Sequence, residues 1–278
     1  MFTGLTMANL VGVPVGTWIG HAWGWRATFA VMVVLGLIAA AVLWKAIPRI
    51  APPAGFSFRG ELRAAARPQV GLAMLVTLLG FGGVFAAITF LAPMLMGSAG
   101  LAESDMTWML AILGVGMVIG NWAGGRLSDR HTFATAAGGL VALALALGSL
   151  AFTMTTPLGA AISVFFIGAF GFAVVPPLQA RVLNNAASAP TLASALNIGA
   201  FNVGNALAAW VAGSVLGAGW GLAAPAWVGV GFAAAGLGVL LLSTLSVFNR
   251  PQRGIEIPAM RPTPEGSPRA AVAEVPAS

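Results

Sequence analysis

The sequence predicts an all-α membrane protein of eight helical spans, and three observations predict it. Of the 278 residues, 59% are hydrophobic and only 7% charged, whereas about a quarter of a soluble domain is charged, so most of the surface must meet lipid. Charge-free stretches run through residues 1–25, 68–102, 106–125, 132–180 and 182–249; about 20 apolar residues cross a bilayer as a helix, so the longer stretches cross more than once. The 37 glycines would weaken a soluble bundle, but membrane helices use small residues to bring backbones close where no hydrophobic drive acts between them.

Breaks at glycine, proline and charge divide the apolar runs into spans near 2–21, 27–47, 69–96, 107–125, 133–153, 158–181, 191–216 and 225–248. The first has no basic segment ahead of it, which argues against a cleaved signal peptide. It carries Gly4, Ala8, Gly12, Gly16 and Gly20 at every fourth position, a close-packing stripe that Gly24 continues. In it, Pro14 frees a backbone carbonyl between Gly12 and Gly16, a kink that suits either a pivot or plain packing. The second span ends at Lys45. Phe81, Phe85, Thr89 and Phe90 lie along the third, with Pro93 as a break. The fourth has Gly116, Gly120 and Gly124 at four-residue spacing and one intramembrane amide, Asn121. The sixth ends in Gln179 and Arg181, the arginine reading as an interfacial anchor with Asn184 and Asn185 beside it. The seventh repeats the stripe as Ala200, Gly204, Ala208 and Ala212.

Residues 48–68 separate the second and third spans with Pro52, Pro53, Gly55 and four arginines, Arg49, Arg59, Arg63 and Arg67, against one acid, Glu61. They read as a basic cytoplasmic linker. Residues 249–278, rich in proline, alanine and charge, bury too little apolar area to fold and read as a disordered cytoplasmic tail. With a cytoplasmic N-terminus, Lys45, Arg49, Arg59, Arg63, Arg67, Arg126, Arg130, Arg181, Arg250, Arg253, Arg261 and Arg269 all fall inside and only Arg26 outside. That asymmetry orients both termini toward the cytoplasm. Glu103 and Asp105 then lie in an outer loop, and Trp23, Trp25, Trp108 and Trp220 near the interfaces.

Several function classes are excluded. Without cysteine, and with only two isolated histidines, the chain offers no thiolate or zinc centre, and no cofactor is expected. The formal charge of +6 sits at span ends and not on one polar face, so no nucleic acid is expected as a partner. Gly114, Gly116 and Gly120 lack the preceding strand of a nucleotide loop. No His, Asp, Glu or Ser set lies at catalytic spacing, which argues against an enzyme.

Shifting the first span by 192 residues lays Ala8, Val11, Gly12, Gly16, Trp18 and Ile19 over Ala200, Val203, Gly204, Ala208, Trp210 and Val211. The two spans are six apart and parallel, as a six-plus-six duplication requires; chance likeness of two small-residue helices is the alternative. Gly125-Arg126-Leu127-Ser128-Asp129-Arg130 follows the fourth span. Its glycine allows a turn, and its acid and arginines can latch one conformation; a plain positive-inside loop is the other reading. Asn9, Asn121, Asn197, Asn202 and Asn205 are costly in lipid and must face either a neighbouring helix or a cavity.

The hexapeptide around Asp129 resembles the loop signature of the major facilitator superfamily, with His131-Thr132-Phe133 in place of its downstream Gly-Arg-Lys part. Gly12-Val13-Pro14-Val15-Gly16 resembles that family's fifth-span antiporter motif, with a valine between glycine and proline. Residues 4–16, 24–29 and 195–205 are similar to bacterial arabinose-efflux and drug:proton antiporter permeases, and the resemblance extends to about residue 248. It implies a partial major facilitator fold of about 8 of 12 transmembrane helices: residues 1–47 as the last two spans of the first half, 69–248 as the six-span second half. It implies also a small-molecule substrate, Phe81, Phe85, Thr89 and Phe90 facing a central cavity, with a plain lipid-facing aromatic set as the other reading, and proton-coupled efflux of sugars, drugs or small metabolites from a bacterial inner membrane. The family's proton-coupling acids are expected upstream of this chain, since no span here carries a deep acid or base. The alternative expectation is an N-terminally truncated, non-transporting membrane protein or assembly partner.

Overall fold

Proline sets where these helices begin. Having no N–H to lose, it suits the first turn, and Pro68, Pro157 and Pro190 open three of the helices while Pro225 stands second in another. A computed structural model of the chain describes residues 11–12, 15–20, 22–46, 66–187 and 189–244. The helices are α1 (Trp25–Ala46), α2 (Pro68–Ile88), α3 (Leu91–Ala99), α4 (Glu103–Thr153), α5 (Pro157–Ala173), α6 (Val175–Asn185), α7 (Pro190–Gly217) and α8 (Ala224–Leu242). Residues 15–20 are helical ahead of α1, and no strand occurs among the described residues.

Among the described residues, six helical stretches are long and apolar enough to cross a membrane: Trp25–Ala46, Pro68–Ile88, Glu103–Thr153, Pro157–Asn185, Pro190–Gly217 and Ala224–Leu242. The 51 residues of α4 would reach about 75 Å if straight, more than twice a hydrocarbon core of about 30 Å. It is not straight: His131 leaves helical geometry at φ −143° and ψ 64°, between the fourth and fifth expected spans, so α4 supplies two crossings. Most of the expected span 2–21, linker residues 48–65 and the tail lie outside the described residues.

Two further breaks follow from proline. Pro93 has no N–H for the carbonyl of Thr89 and crowds it, and the chain breaks at Thr89 and Phe90 before resuming as α3. Pro176 and Pro177 do the same four residues upstream, and α5 gives way to α6 at Val174.

The core lies among α2 to α8, with α2 at its centre packed on α7 and α8, and α4 packed on α5. The second part of α4 contributes Leu140, Leu143, Leu147 and Leu150, all fully buried at helical spacing. Backbones approach closely where the sequence is smallest. A Cβ on Gly120 would overlap the Ala169 carbonyl, and one on Gly204 the Leu78 carbonyl. The stripes at Gly116, Gly120 and Gly124 and at Gly204, Ala208 and Ala212 are therefore contact faces, against α5 and α2 respectively. Opposite faces are apolar and open: Trp108, Trp122, Leu145, Leu158 and Trp210 are all exposed, a surface suited to acyl chains and not to water. Nothing in α1 is buried.

The helix ends are tied locally. The Asp105 carboxylate accepts from the Ala102 N–H at 2.9 Å, and Glu103 and Asp105 lie in the first turn of α4, where negative charge suits the helix dipole. Thr156 caps α5 by accepting from the Gly159 N–H.

Candidate functional site

Polar side chains inside a membrane bundle need partners, because lipid supplies none. At one end of the bundle the break at Val174 lets α6 run separately from α5 and presents Gln179 to α7. There Asn197 Nδ2 donates to Gln179 Oε1 at 2.6 Å, and Gln179 Nε2 donates to Ser194 Oγ at 2.8 Å. Asn197 is completely buried and Gln179 nearly so. Asn197 Oδ1 has no hydrogen-bond partner, so the pair can still accept a bond or exchange its donor and acceptor roles.

The same end gathers the remaining basic and amide groups. Asn185 Nδ2 reaches the Gln69 carbonyl oxygen at 3.5 Å, tying the end of α6 to the start of α2. Arg181 donates through Nη2 to Ser243 Oγ just beyond α8, and its guanidinium lies 5.9 Å from the Phe133 ring on the second part of α4. Arg67, the break at His131, Arg181 and Ser243 thus share one end. Glu103 and Asp105 open α4 at the other.

The motif around Asp129 is the last turn of the first part of α4, with the break directly after it. Ser128 is buried, Gly125 half-buried, and Arg126, Asp129 and Arg130 are exposed. The Arg126 guanidinium stacks over the Trp122 ring at 4.0 Å, and Ser128 uses its carbonyl to accept from the Thr132 hydroxyl at 2.9 Å, which holds the broken segment together.

Deeper along α2, Phe81 is buried in an aromatic group. Its ring centroid lies 4.9 Å from Phe201, 5.6 Å from Phe172 and 5.8 Å from Phe85, the first two edge to face. Phe85 is half-buried and Thr89 exposed at the break. Asn202 is exposed and donates to its own helix at Ile198 O, 2.8 Å away. Asn121 and Asn205 each hold a buried Oδ1 without a partner. Of the first-span residues, Asn9 and Pro14 lie outside the described set, and no atom comes within 4 Å of a Cβ on Gly12. Gly16 accepts at its carbonyl from the Thr28 hydroxyl at 3.1 Å, which joins the stripe to α1.

The structure therefore joins Asn197 to Gln179 and Phe81 to Phe85, and leaves Asn121, Asn202 and Asn205 apart. Ser194, Phe172 and Ser243 were not singled out from the sequence. The paired prolines at 176 and 177 are the one sequence signal for them, since that break frees α6 to meet α7 and α8.

Residues 1–209 match the profile of the Major Facilitator Superfamily. Over 221 residues the chain is 43% identical to the inner membrane transport protein YdhP of Escherichia coli K12, covering 80% of this chain and 57% of that protein. Over 231 residues it is 38% identical to the chloramphenicol resistance protein of Streptomyces lividans, covering 82% and 59%. The chain spans less than two thirds of the length of these curated relatives. With that match across most of its residues and a bundle of apolar helices long enough to cross a bilayer, the chain belongs to the Major Facilitator Superfamily, a family of membrane transporters.

Proposed function

We propose that this chain works in a secondary active exporter that moves drugs, sugars or other small metabolites out of a bacterial cell in exchange for protons. The observation that carries the proposal is the 38% identity with a protein named for chloramphenicol resistance, because a membrane transporter confers resistance by moving the drug out. Residues 1–47 then form the last two spans of one half, 48–68 the cytoplasmic linker, 69–248 the six-span second half and 249–278 the cytoplasmic tail. The basic end formed by Arg67, Arg130 and Arg181 faces the cytoplasm, which the excess of arginine there supports.

Alternating access in this reading is rocking of one half against the other. Glycine contacts such as Gly120 on Ala169 keep the second half rigid while it moves. Asp129, exposed beside the His131 break, is the acid of the latch that holds one state. Phe81, Phe85 and Thr89 line the substrate path on α2, and Asn121, Asn202 and Asn205 offer amides to it.

The test is efflux in everted membrane vesicles, using labelled chloramphenicol and labelled pentose, with this chain alone and with it preceded by the first four spans of YdhP. The proposal expects energised vesicles to accumulate one of the two compounds and to release it on addition of a protonophore. Accumulation that is indifferent to the protonophore removes proton exchange, and none of either compound in either form removes both substrate classes.

A further inference from the structure

Among the described residues, Arg181 is a half-buried cation with no acid beside it. Near the end of α6 it is half-buried, and its Nη2 donates to a neutral hydroxyl, Ser243 Oγ. Ser243 in turn donates to the Leu240 carbonyl, so that hydroxyl is an acceptor for the arginine and brings no negative charge. Arg181 Nε is buried with no hydrogen-bond partner. The described acids are elsewhere: Glu103 and Asp105 open α4 at the far end, and Asp129 is exposed at the near end. A guanidinium taken partly out of water without a counter-charge is costly, and inside a membrane protein it marks a site awaiting an anion.

The walls indicate which anion. Phe133, whose ring lies 5.9 Å from the guanidinium, is exposed, as are Leu241 and Leu242, the two residues before Ser243. The flanking side chains are therefore apolar and exposed, and the charge beside them is that of the half-buried guanidinium. A phosphodiester supplies a full negative charge to the guanidinium, and its acyl chains suit the exposed apolar side chains beside it.

We propose that Arg181, supported by Ser243 and Phe133, holds the phosphate of an anionic lipid headgroup at the end of the bundle where it meets the second part of α4 and the end of α8. Such a lipid clamps the end of α6, from which Gln179 reaches Asn197, and so ties lipid composition to the polar contact between α6 and α7.

The test is native mass spectrometry of the full chain, purified in dodecyl maltoside and titrated with phosphatidylglycerol or phosphatidylcholine. The wild type is expected to retain phosphatidylglycerol over phosphatidylcholine, and Arg181→Gln to lose roughly fivefold of that preference, the scale of one basic contact to an anionic lipid. Arg130→Gln, an exposed arginine at the same end, is expected to keep it. Ser243→Asp retains the arginine but gives it an internal partner; it is expected to lose the lipid while unfolding at a temperature no lower than wild type in detergent alone. Retention unchanged in both Arg181→Gln and Ser243→Asp overturns the proposal, as does an equal loss in Arg130→Gln. Inorganic phosphate that displaces phosphatidylglycerol at matched concentration assigns the site to free phosphate and overturns the lipid assignment.

Discussion

The side-chain amide of Asn197 donates to the side-chain carbonyl of Gln179 at 2.6 Å, joining α7 to α6 through two neutral groups that lipid cannot reach. Interhelical bonds of this kind contribute about 0.6 kcal/mol on average and up to about 1.7 kcal/mol. Asn197→Leu leaves Gln179 Oε1 without its donor, and thermal unfolding in detergent is expected to fall by about that amount. Adding Gln179→Leu and Ser194→Ala removes every partner of this small network and is expected to restore part of the loss. A triple variant that is as unstable as the single losses summed would show that these bonds carry no coupling.

Glycine at the α4 and α5 contact is a steric requirement. Gly120→Val places a branched side chain into the Ala169 carbonyl, and the helices must separate or the protein fails to fold, at a cost of about 4 kcal/mol or more. Gly125→Ala, where a Cβ meets nothing within 4 Å, is expected to stay within about 0.5 kcal/mol of wild type. Gel filtration and thermal unfolding of the two variants check the contrast, and equal behaviour contradicts the packing described.

How much of this was legible in the sequence depends on range. Apolar runs located the spans from 69 onward, and Pro93 marked the break that occurs at Thr89 and Phe90. The stripes at Gly116, Gly120 and Gly124 and at Gly204, Ala208 and Ala212 announced close contacts, because only small residues permit them. Which helix each stripe meets was not legible, since membrane helices have no polar face to orient them. The paired prolines at 176 and 177 were read through as one span, and with the break went the reason Gln179 meets α7. Polar pairing was equally hidden: Asn197 read as a costly amide in need of a partner and Gln179 as the end of a span, while Ser194 gave no signal, and the turn between α6 and α7 brought the three together.

The basic end is expected in the cytoplasm. The chain contains no cysteine, so single cysteines report topology without background. Ser104→Cys, in the first turn of α4, is expected to react with an impermeant maleimide on intact cells. Asn184→Cys, exposed near the end of α6, is expected to react only after permeabilisation. The reverse pattern would invert the orientation.

Asp129 is exposed, so removing its charge costs the fold little, and surface changes of this kind stay within about 0.5 kcal/mol. In the proposed latch role it would bias the two access states, and Asp129→Asn is then expected to lower transport by about tenfold, the effect of about 1.4 kcal/mol on a two-state equilibrium. Membrane level and unfolding temperature, measured beside transport, should hold steady. Transport at the wild-type rate would leave the motif a plain charged turn.

Proton exchange is the finer part of the proposed export, and purified protein in sealed liposomes tests it without other transporters. Liposomes loaded acid inside and diluted into neutral buffer are expected to take up labelled chloramphenicol against its gradient and to leak protons as they do so. Uptake of the same size without a pH gradient, or a proton leak that ignores the drug, would contradict the account.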